Sequence, residues 1–277
     1  MKIDLHVHTN ASDGRLSPAE LVKLAVSQGV KLLAIADHDT VAGINTAMEA
    51  VREHPDVHLI PAIELSSHAP GNEVHVLGYF IRYDSQELAS ELKVLQDSRG
   101  ERARAMVAKL QGLGMDINLV RVQEIAGAGS IGRPHIAQAI MEKGYVRDFR
   151  EVFDKYLGHG GPAYVERHKL SPAQAVELIL RYGGIPVLAH PTTLDLEGLL
   201  PELLTAGLAG LEVYYKDYSL ETRQELANLA GCHRLIATGG TDYHGIESTE
   251  VMLGEADVPQ AVAENLFALA RQRGIEA

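Results

Sequence analysis

The sequence has one cysteine, Cys232, and no tryptophan. A single thiol excludes an intramolecular disulfide and a thiolate metal site, so any bound metal ion must be held by histidine and carboxylate. No apolar stretch approaches the roughly 18 residues of a membrane-spanning helix, and the first residues lack the basic and apolar segments of a secretory signal. We therefore expect a soluble, cytoplasmic protein that does not contact a membrane.

Aromatic residues are also scarce, at 5% of the chain, and the formal net charge is −12. Proteins that bind long nucleic acids use a basic surface, and single-strand binders add aromatic stacking platforms. This composition therefore argues against a long nucleic acid as partner, while small anionic substrates stay compatible if a local cationic pocket exists. With 277 residues, 46% of them hydrophobic, the chain can bury one large core or one core with an appended lobe.

Histidine is the abundant residue, with 13 copies, and two of them open the chain. His6 and His8 lie in the run Asp4-Leu5-His6-Val7-His8-Thr9, shortly before Asp13. Residues two apart in a strand point to the same face, so the two imidazoles aim at one point, as ligands of one ion would. Taken alone, the stretch fits a strand with two surface histidines and a polar turn almost as well.

Apolar runs bounded by helical patterns recur along the chain, at 32–36, 58–63, 184–189, 210–214 and 235–238. Such runs are typical of parallel strands that are buried on both faces. The run at 58–63 is expected to end at Glu64. Before the run at 32–36, Ser17-Pro18-Ala19-Glu20 predicts a capped helix start. Alternating strands and helices of this kind predict an α/β barrel.

One strand interrupts the alternation. Only about ten residues separate Glu64 from His75, fewer than the dozen or more that a parallel crossover needs. We therefore predict that the strand at 74–80 is antiparallel and that His75, at its beginning, points to the same mouth of the barrel as the other polar residues. The barrel is accordingly distorted.

A long stretch without strand patterns follows. The segment 86–113 is charged and helical, and 119–156 continues as short helices punctuated by glycine. Because helices alone cannot extend a barrel sheet, we predict a helical insertion at about 100–167 that lies over the site as a substrate-binding lid. The barrel would then consist of 1–99 and 168–277.

Polar residues collect at the predicted strand boundaries. Barrel enzymes build their sites from such positions, because the loops there vary without disturbing the core. Each residue alone fits a loop histidine or a helix cap, but chance is a poor explanation for the whole set. The set comprises His6, His8, Asp13, His38, Glu64, His75, His190, Asp242 and His244.

The same residues carry a family resemblance. The ordered motifs are His6-Val7-His8, Ser12-Asp13-Gly14, Asp37-His38-Asp39-Thr40, Glu64, His75, Ala189-His190-Pro191 and Thr241-Asp242-Tyr243-His244. They resemble the ligand motifs of the PHP (polymerase and histidinol phosphatase) family of metal-dependent phosphoesterases, from one end of the chain to the other. The resemblance implies an α/β fold, a distorted (β/α)7 barrel of PHP type with a helical insertion domain. Segments 132–137 and 156–164 resemble the freestanding branch that includes 3′,5′-nucleoside bisphosphate phosphatases and 5′-to-3′ exoribonucleases of short RNA.

The resemblance also implies two or three divalent metal ions. Nitrogen and oxygen ligands suit Mn²⁺ first, Fe²⁺ or Zn²⁺ next, and Mg²⁺ less because the imidazoles are so many. Asp37 and Asp39 are expected to cap loops or to hold ligands, not to bind metal. By family motif, the first ion takes His6, His8, Glu64 and Asp242, the second takes His75 and His190 with Glu64 bridging, and the third takes Asp13, His38 and His244.

Such a centre supplies a bridging hydroxide and a Lewis acid for phosphate ester hydrolysis. The residues expected to take part in catalysis are Asp13, His38, Glu64, His190 and Asp242. Arg133 can hold a phosphate bidentately with His135 beside it, although an arginine that caps a surface helix is the alternative. Lys216 is a weaker candidate, for which a solvated lysine is the preferred interpretation.

The expected reaction removes the 3′-phosphate from a nucleoside 3′,5′-bisphosphate, so the expected partner is a small nucleotide. The first alternative is a 5′-to-3′ exoribonuclease that acts on short 5′-phosphorylated RNA, followed by a histidinol-phosphate phosphatase. Outside phosphoesterases, an amidohydrolase with a similar barrel and a non-enzymatic, metal-stabilised module are the other hypotheses.

Overall fold

The computed structural model describes residues 1–70, 72–127, 131–166, 170–245 and 252–276. Within these ranges, seven strands form one sheet whose spatial order is the chain order. Val7 bridges to Tyr243, just beyond the last strand, which brings the two sheet edges together and nearly closes a barrel. The strands are β1 (Lys2–Val7), β2 (Val30–Ile35), β3 (His58–Ala69), β4 (Asn72–Tyr79), β5 (Ile185–Leu188), β6 (Gly210–Tyr215) and β7 (Ile236–Gly240).

Strand β4 runs antiparallel to both of its neighbours, while the remaining pairs are parallel. The predicted reversal is confirmed. The expected end of β3 at Glu64 is wrong, because the strand continues to Ala69. The extension forms a hairpin with β4, in which Ser66 faces His75, so the backbone groups beyond Glu64 are satisfied by a partner strand.

Helices cover the barrel and build the insertion. In α1 the Ser17 hydroxyl accepts from the Glu20 N–H and the Glu20 carboxylate accepts from the Ser17 N–H, which is the predicted capping box. Among the described residues, none of the helices is both long and apolar enough to span a bilayer. The α-helices are α1 (Pro18–Ser27), α2 (Ile44–Val51), α3 (Gln86–Gly112), α4 (Leu119–Ala126), α5 (Arg133–Glu142), α6 (Phe149–Val152), α7 (Pro172–Arg181), α8 (Leu196–Ala206), α9 (Leu220–Cys232) and α10 (Gln260–Gln272).

Helix α3 joins two hydrophobic cores. Its first half, with Leu88 and Leu95, packs into a cluster that contains strand residues of the barrel. Its second half, with Ala103 and Leu110, packs into a separate cluster with α4, α5 and α6. The helix therefore runs continuously across the predicted boundary between residue 99 of the barrel and residue 100 of the insertion, while its apolar contacts change partner nearby. Position 167, at the other end of the predicted insertion, lies outside the described residues.

Candidate metal centre

The ends of the barrel strands bring all nine predicted site residues to one mouth of the barrel. Strand β1 carries His6, and His8 directly follows the last residue of the strand; their buried rings lie 5.2 Å apart between centroids. Neighbouring ring pairs continue around the rim, with 4.2 Å between His8 and His244 and 5.1 Å between His75 and His190. The sequence expectation that these side chains share one location therefore matches their placement in the structure.

Glu64 lies at the middle of this cluster and is 1% exposed. Its Oε1 atom is 2.9 Å from His75 Nδ1 and 3.2 Å from His190 Nε2. The Oε2 atom lies 3.4 Å from His6 Nε2, 3.3 Å from His8 Nε2 and 2.9 Å from His38 Nδ1. The two oxygens of this carboxylate therefore face different imidazoles, and either could contribute to a cation site.

Several buried atoms of the cluster lie close to one another but make no hydrogen bond of adequate geometry within the described part of the chain. They are His6 Nε2, both ring nitrogens of His8, Asp13 Oδ1, His38 Nδ1 and Glu64 Oε2. Such atoms are costly to bury without a partner, and an ion at this place would satisfy them. The residues thus fit divalent metal ions that prefer nitrogen and oxygen donors.

The donor atoms fall into three groups that differ in part from the expected ligand sets. His8 joins the expected set of Asp13, His38 and His244, and His38 also belongs with Glu64 and His75. His38 therefore lies between two groups, and not in one alone. The groups, each with donor atoms within 4.8 Å of one another, are His8 with Asp13, His38 and His244; His6 with His8 and Glu64; and His38 with Glu64 and His75.

Asp242 completes the side of the cluster that faces β1. Its Oδ1 atom lies 3.4 Å from His6 Nε2 and 3.1 Å from His8 Nε2. Its Oδ2 atom accepts a hydrogen bond of 2.9 Å from the hydroxyl of Tyr215, a contact that the sequence did not predict. Asp242 and His190 have positive φ angles of 50° and 27°, and strained backbone of this kind is commonly found at functional sites.

Opposite charges within the cluster keep its carboxylates ionised. Burial alone would raise the pKa of the Glu64 and Asp13 carboxyls, but the facing imidazoles hold both pKa values well below the usual range. Burial would lower the pKa of His244, yet Asp13 and Asp242 raise it to about 10. For His38, burial outweighs its acidic neighbours and lowers the pKa to about 4. The carboxylates are therefore charged at neutral pH.

Glu212, on β6, supports two of the candidate ligands without facing the ion site. It is fully buried, its Oε1 lies 2.9 Å from His6 Nδ1, and its Oε2 accepts from the His190 N–H at 2.8 Å. It thereby leaves His6 Nε2 directed at Glu64 and Asp242. Sequence reasoning missed this residue, although a glutamate inside an otherwise apolar strand is a recognisable signal.

The carboxylates of Asp37 and Asp39 hold the surrounding loops, as predicted for residues that do not bind metal. Asp37 accepts from the N–H and hydroxyl of Thr9 at 2.7 and 2.6 Å and from the Ser12 hydroxyl at 2.5 Å, which fixes the loop before Asp13. Asp39 accepts from the Ser66 N–H at 2.8 Å. Asp4, which the sequence analysis did not select, similarly accepts from Thr241 and Gly254.

A small cavity of about 140 Å³ lies between the cluster and the insertion, and we call it the arginine pocket. Its walls include Arg99, Arg102 and Arg133, together with His38 and His75 of the cluster. Sequence reasoning found only Arg133, because the other two lie within the charged pattern of α3.

Carboxylates hold the three guanidinium groups of the arginine pocket in place. Arg99 donates to Asp39 at 2.7 Å and to the Ser66 hydroxyl at 2.6 Å. Glu73, on β4, pairs with Arg133 and lies 3.6 Å from Arg102. The pocket therefore combines oriented cationic groups with a wall formed by candidate metal ligands.

His135 and Lys216 are placed differently from the expectation. The His135 Nδ1 atom accepts from the Gly132 N–H at 2.9 Å, and the ring lines the cleft beside Asp13 instead of the arginine pocket. Positions two apart on a helix point in different directions, so the expected pair with Arg133 does not form. Lys216 is half-buried and donates to the Asp242 carbonyl at 3.3 Å, so it is not the solvated lysine that was expected.

A distorted seven-stranded barrel with a histidine and carboxylate cluster at its mouth is suited to a metal-dependent hydrolase. The family model of the PHP domain matches residues 4–182. The chain therefore belongs to the PHP family.

Relatives and a similar crystal structure support the same class. The chain is 35% identical to the 5′-3′ exoribonuclease Rnm of Escherichia coli, with 87% of this chain and 84% of the relative covered. It is 34% identical to the 3′,5′-nucleoside bisphosphate phosphatase of Chromobacterium violaceum, with 87% of each chain covered. A crystal structure from Bifidobacterium adolescentis, assigned as a metal-dependent phosphoesterase, superposes with a TM-score of 0.88 at 29% identity and covers 99% of this chain and 96% of that one. These similarities define the protein as a phosphoesterase.

Proposed function

We propose that this phosphoesterase removes the 3′-phosphate from nucleoside 3′,5′-bisphosphates. The observation that carries the proposal is the arginine pocket beside the metal cluster. Pockets that enclose drug-sized ligands measure about 300–1,000 Å³. At about 140 Å³, this cavity suits a phosphate group and not a whole nucleoside. A substrate with two phosphates can fill the pocket with one and present the other to the cluster.

The side chains divide the work of binding and hydrolysis. Glu64, Asp242 and the histidines would hold divalent ions, for which Mn²⁺ is our first choice. When bound, such ions would supply Lewis-acid activation of water and would neutralise charge on the scissile phosphate. Arg99, which Asp39 fixes, and Arg133 bind the 5′-phosphate and so orient the 3′-phosphate toward the cluster. Glu73 keeps Arg102 and Arg133 in place before substrate arrives.

A 5′-to-3′ exoribonuclease acting on short RNA is the second candidate. The same pocket would hold the 5′-phosphate of the first nucleotide, and the phosphodiester that follows would lie at the cluster. The similarity to the exoribonuclease of Escherichia coli favours this candidate. In both reactions the bond from phosphorus to the 3′-oxygen is broken.

The proposal is tested by phosphate release with Mn²⁺-loaded protein on adenosine 3′,5′-bisphosphate, 3′-AMP, 5′-AMP, histidinol phosphate and a 5′-phosphorylated oligonucleotide. We expect the highest kcat/KM on the bisphosphate, with 5′-AMP as the product. Glu64→Gln should be inactive, and Glu202→Gln, on an exposed face of α8, is the matched control. Equal hydrolysis of histidinol phosphate or of 5′-AMP would contradict the proposal. Elemental analysis of the purified protein should find two to three ions per chain.

A further inference from the structure

A second cleft opens beside the metal cluster, and we call it the tyrosine cleft. It has a volume of about 420 Å³ and shares no lining residue with the arginine pocket among the described residues. The arginine pocket is bounded by β3, β4 and the insertion, whereas this cleft is bounded by the segments that follow β5 and β6. The two therefore lie on different sides of the cluster. The cleft is lined by His190, Thr192, Thr193, Tyr215, Asp217, Tyr218 and Thr222.

Two tyrosine rings dominate the tyrosine cleft, in a chain that has few aromatic residues. The rings of Tyr215 and Tyr218 lie 5.1 Å apart between centroids, and Tyr215 lies 5.9 Å from the ring of His190. Both hydroxyl groups are already engaged, Tyr215 with Asp242 at 2.9 Å and Tyr218 with the Thr192 hydroxyl at 3.1 Å. These contacts fix the rings, so a flat ligand can stack on them with little loss of side-chain freedom.

The charge of the tyrosine cleft does not suit a phosphate. Within the described residues, its lining includes the carboxylate of Asp217 and neither lysine nor arginine. The ammonium group of Lys216 lies 5.6 Å from the centre of the Tyr215 ring, but it donates to the Asp242 carbonyl. The guanidinium groups that can hold a phosphate bidentately lie in the arginine pocket. An uncharged, planar group such as a nucleobase fits the tyrosines, because stacking needs only a π face and tolerates any base.

The inference rests on the proposed function in the form of its second candidate substrate, short 5′-phosphorylated RNA, because a 3′,5′-bisphosphate carries no nucleoside beyond its scissile phosphate. With the 5′-phosphate in the arginine pocket and the scissile phosphate at the cluster, a nucleoside esterified to that phosphate extends away from the arginine pocket. We infer that the tyrosine cleft binds the nucleobase that follows the scissile phosphate, with Tyr218 as the stacking residue. Such a nucleobase is present when the substrate is the short RNA strand of the second candidate function. Hydrolysis of such a strand adds the OH of water to phosphorus and its proton to the departing 3′-oxygen, and releases a 5′-mononucleotide.

The inference is tested by binding, using analogues that resist hydrolysis because a CH₂ group replaces the 3′-oxygen. One is the analogue of adenosine 3′,5′-bisphosphate, and the other carries a further adenosine on the same phosphonate. Their Kd values are measured by calorimetry with the Mn²⁺-loaded full chain. Tyr218→Leu should raise the Kd of the dinucleotide analogue roughly 5- to 150-fold and leave the Kd of the bisphosphate analogue unchanged. Leucine keeps an apolar side chain where this partly buried residue packs against the barrel core. Tyr218→Phe keeps the ring and loses only the hydroxyl contact with Thr192, so it should bind the dinucleotide analogue much more tightly than Tyr218→Leu does.

The remaining outcomes separate the inference from the proposed function. If Tyr218→Leu weakens the binding of both analogues equally, the ring of Tyr218 lies under the first nucleoside. If it weakens the binding of neither analogue, Tyr218 is not a binding residue. Either result overturns the inference while the bisphosphate still binds. The inference is also overturned if the wild-type chain binds the bisphosphate analogue but not the dinucleotide analogue. A chain that binds neither analogue contradicts the proposed function as well.

Discussion

Replacing Glu212 with glutamine changes a buried group that touches candidate metal ligands but not the ion site. The carboxylate accepts twice, from His6 Nδ1 at 2.9 Å and from the His190 N–H at 2.8 Å. Glutamine has nearly the same shape but only one accepting oxygen. If that oxygen faces His190, the amide NH₂ faces His6 Nδ1, and the ring then places its proton on Nε2, the atom meant to bind metal.

The expected loss follows from the role of such supporting contacts. Removing the partner of a metal-bound histidine typically costs 10- to 100-fold in metal affinity, which is about 1.4–2.8 kcal/mol. Because Glu212 contacts two ligand residues at once, we expect Glu212→Gln to reach the upper half of this range. If the glutamine oxygen instead faces His6, the His190 N–H is left without an acceptor, which destabilises the fold by about 1–3 kcal/mol.

The assay is competition between a fluorescent chelator and the metal-free chain for Mn²⁺, with the melting temperature measured in parallel. Glu202→Gln, an exposed glutamate of the same charge, controls for the loss of one negative charge. A Glu212→Gln chain that is folded and binds Mn²⁺ with wild-type affinity would refute the reasoning, because His6 would then bind metal without this support or would not bind it at all.

Three further predictions follow from the same geometry. Arg133→Ala should lower kcat/KM on a 3′,5′-bisphosphate by about one to two decades, because one charge-assisted contact contributes roughly 1.5–3 kcal/mol. On the matching 3′-monophosphate, kcat/KM should barely change. Equal losses on both substrates would place Arg133 at the scissile phosphate. Gly240→Ala should destabilise the fold by about 1–3 kcal/mol, because the added Cβ would lie 2.5 Å from the backbone N of His6. Gly231→Ala is the control and should not destabilise the fold, since Gly231 has open space around it. The melting of the two variants is compared by calorimetry. Chelation should abolish hydrolysis and Mn²⁺ should restore it, so full activity in a metal-free sample would exclude the metal mechanism.

Constraints that act over short stretches of chain made most of the barrel predictable. Apolar runs between helical patterns indicate buried strands, and the short connection before His75 leaves room only for an antiparallel strand. The clustering of the nine polar residues was predictable for the same reason, since parallel strands place their carboxyl ends at one mouth. Which of them share an ion depends on ring orientations, and these are set by packing between strands that are distant in sequence.

The parts that the sequence did not predict depend on contacts between distant segments. Arg99 and Arg102 look like ordinary charged residues of an exposed helix until Asp39 and Glu73 are seen beside them. Likewise, Tyr215 is simply the end of a strand until its hydroxyl is found against Asp242. In each case the residue type is unremarkable at its position, and only the partner across the barrel gives it a role.

The reversed direction of β4 connects the metal cluster to the arginine pocket. An antiparallel strand enters the mouth of the barrel by its amino end, so Glu73 and His75 share one face two residues apart. The hairpin that β4 forms with the extended β3 carries Glu73 to the insertion, where it pairs with Arg133 and Arg102. A parallel strand would have brought its carboxyl end to the mouth of the barrel. A loop would then form the wall of the arginine pocket that Glu73 and His75 form here. The antiparallel strand that interrupts the regular barrel therefore fixes the distance between His75, a candidate metal ligand, and the arginine pocket. A substrate with two phosphates requires such a fixed distance.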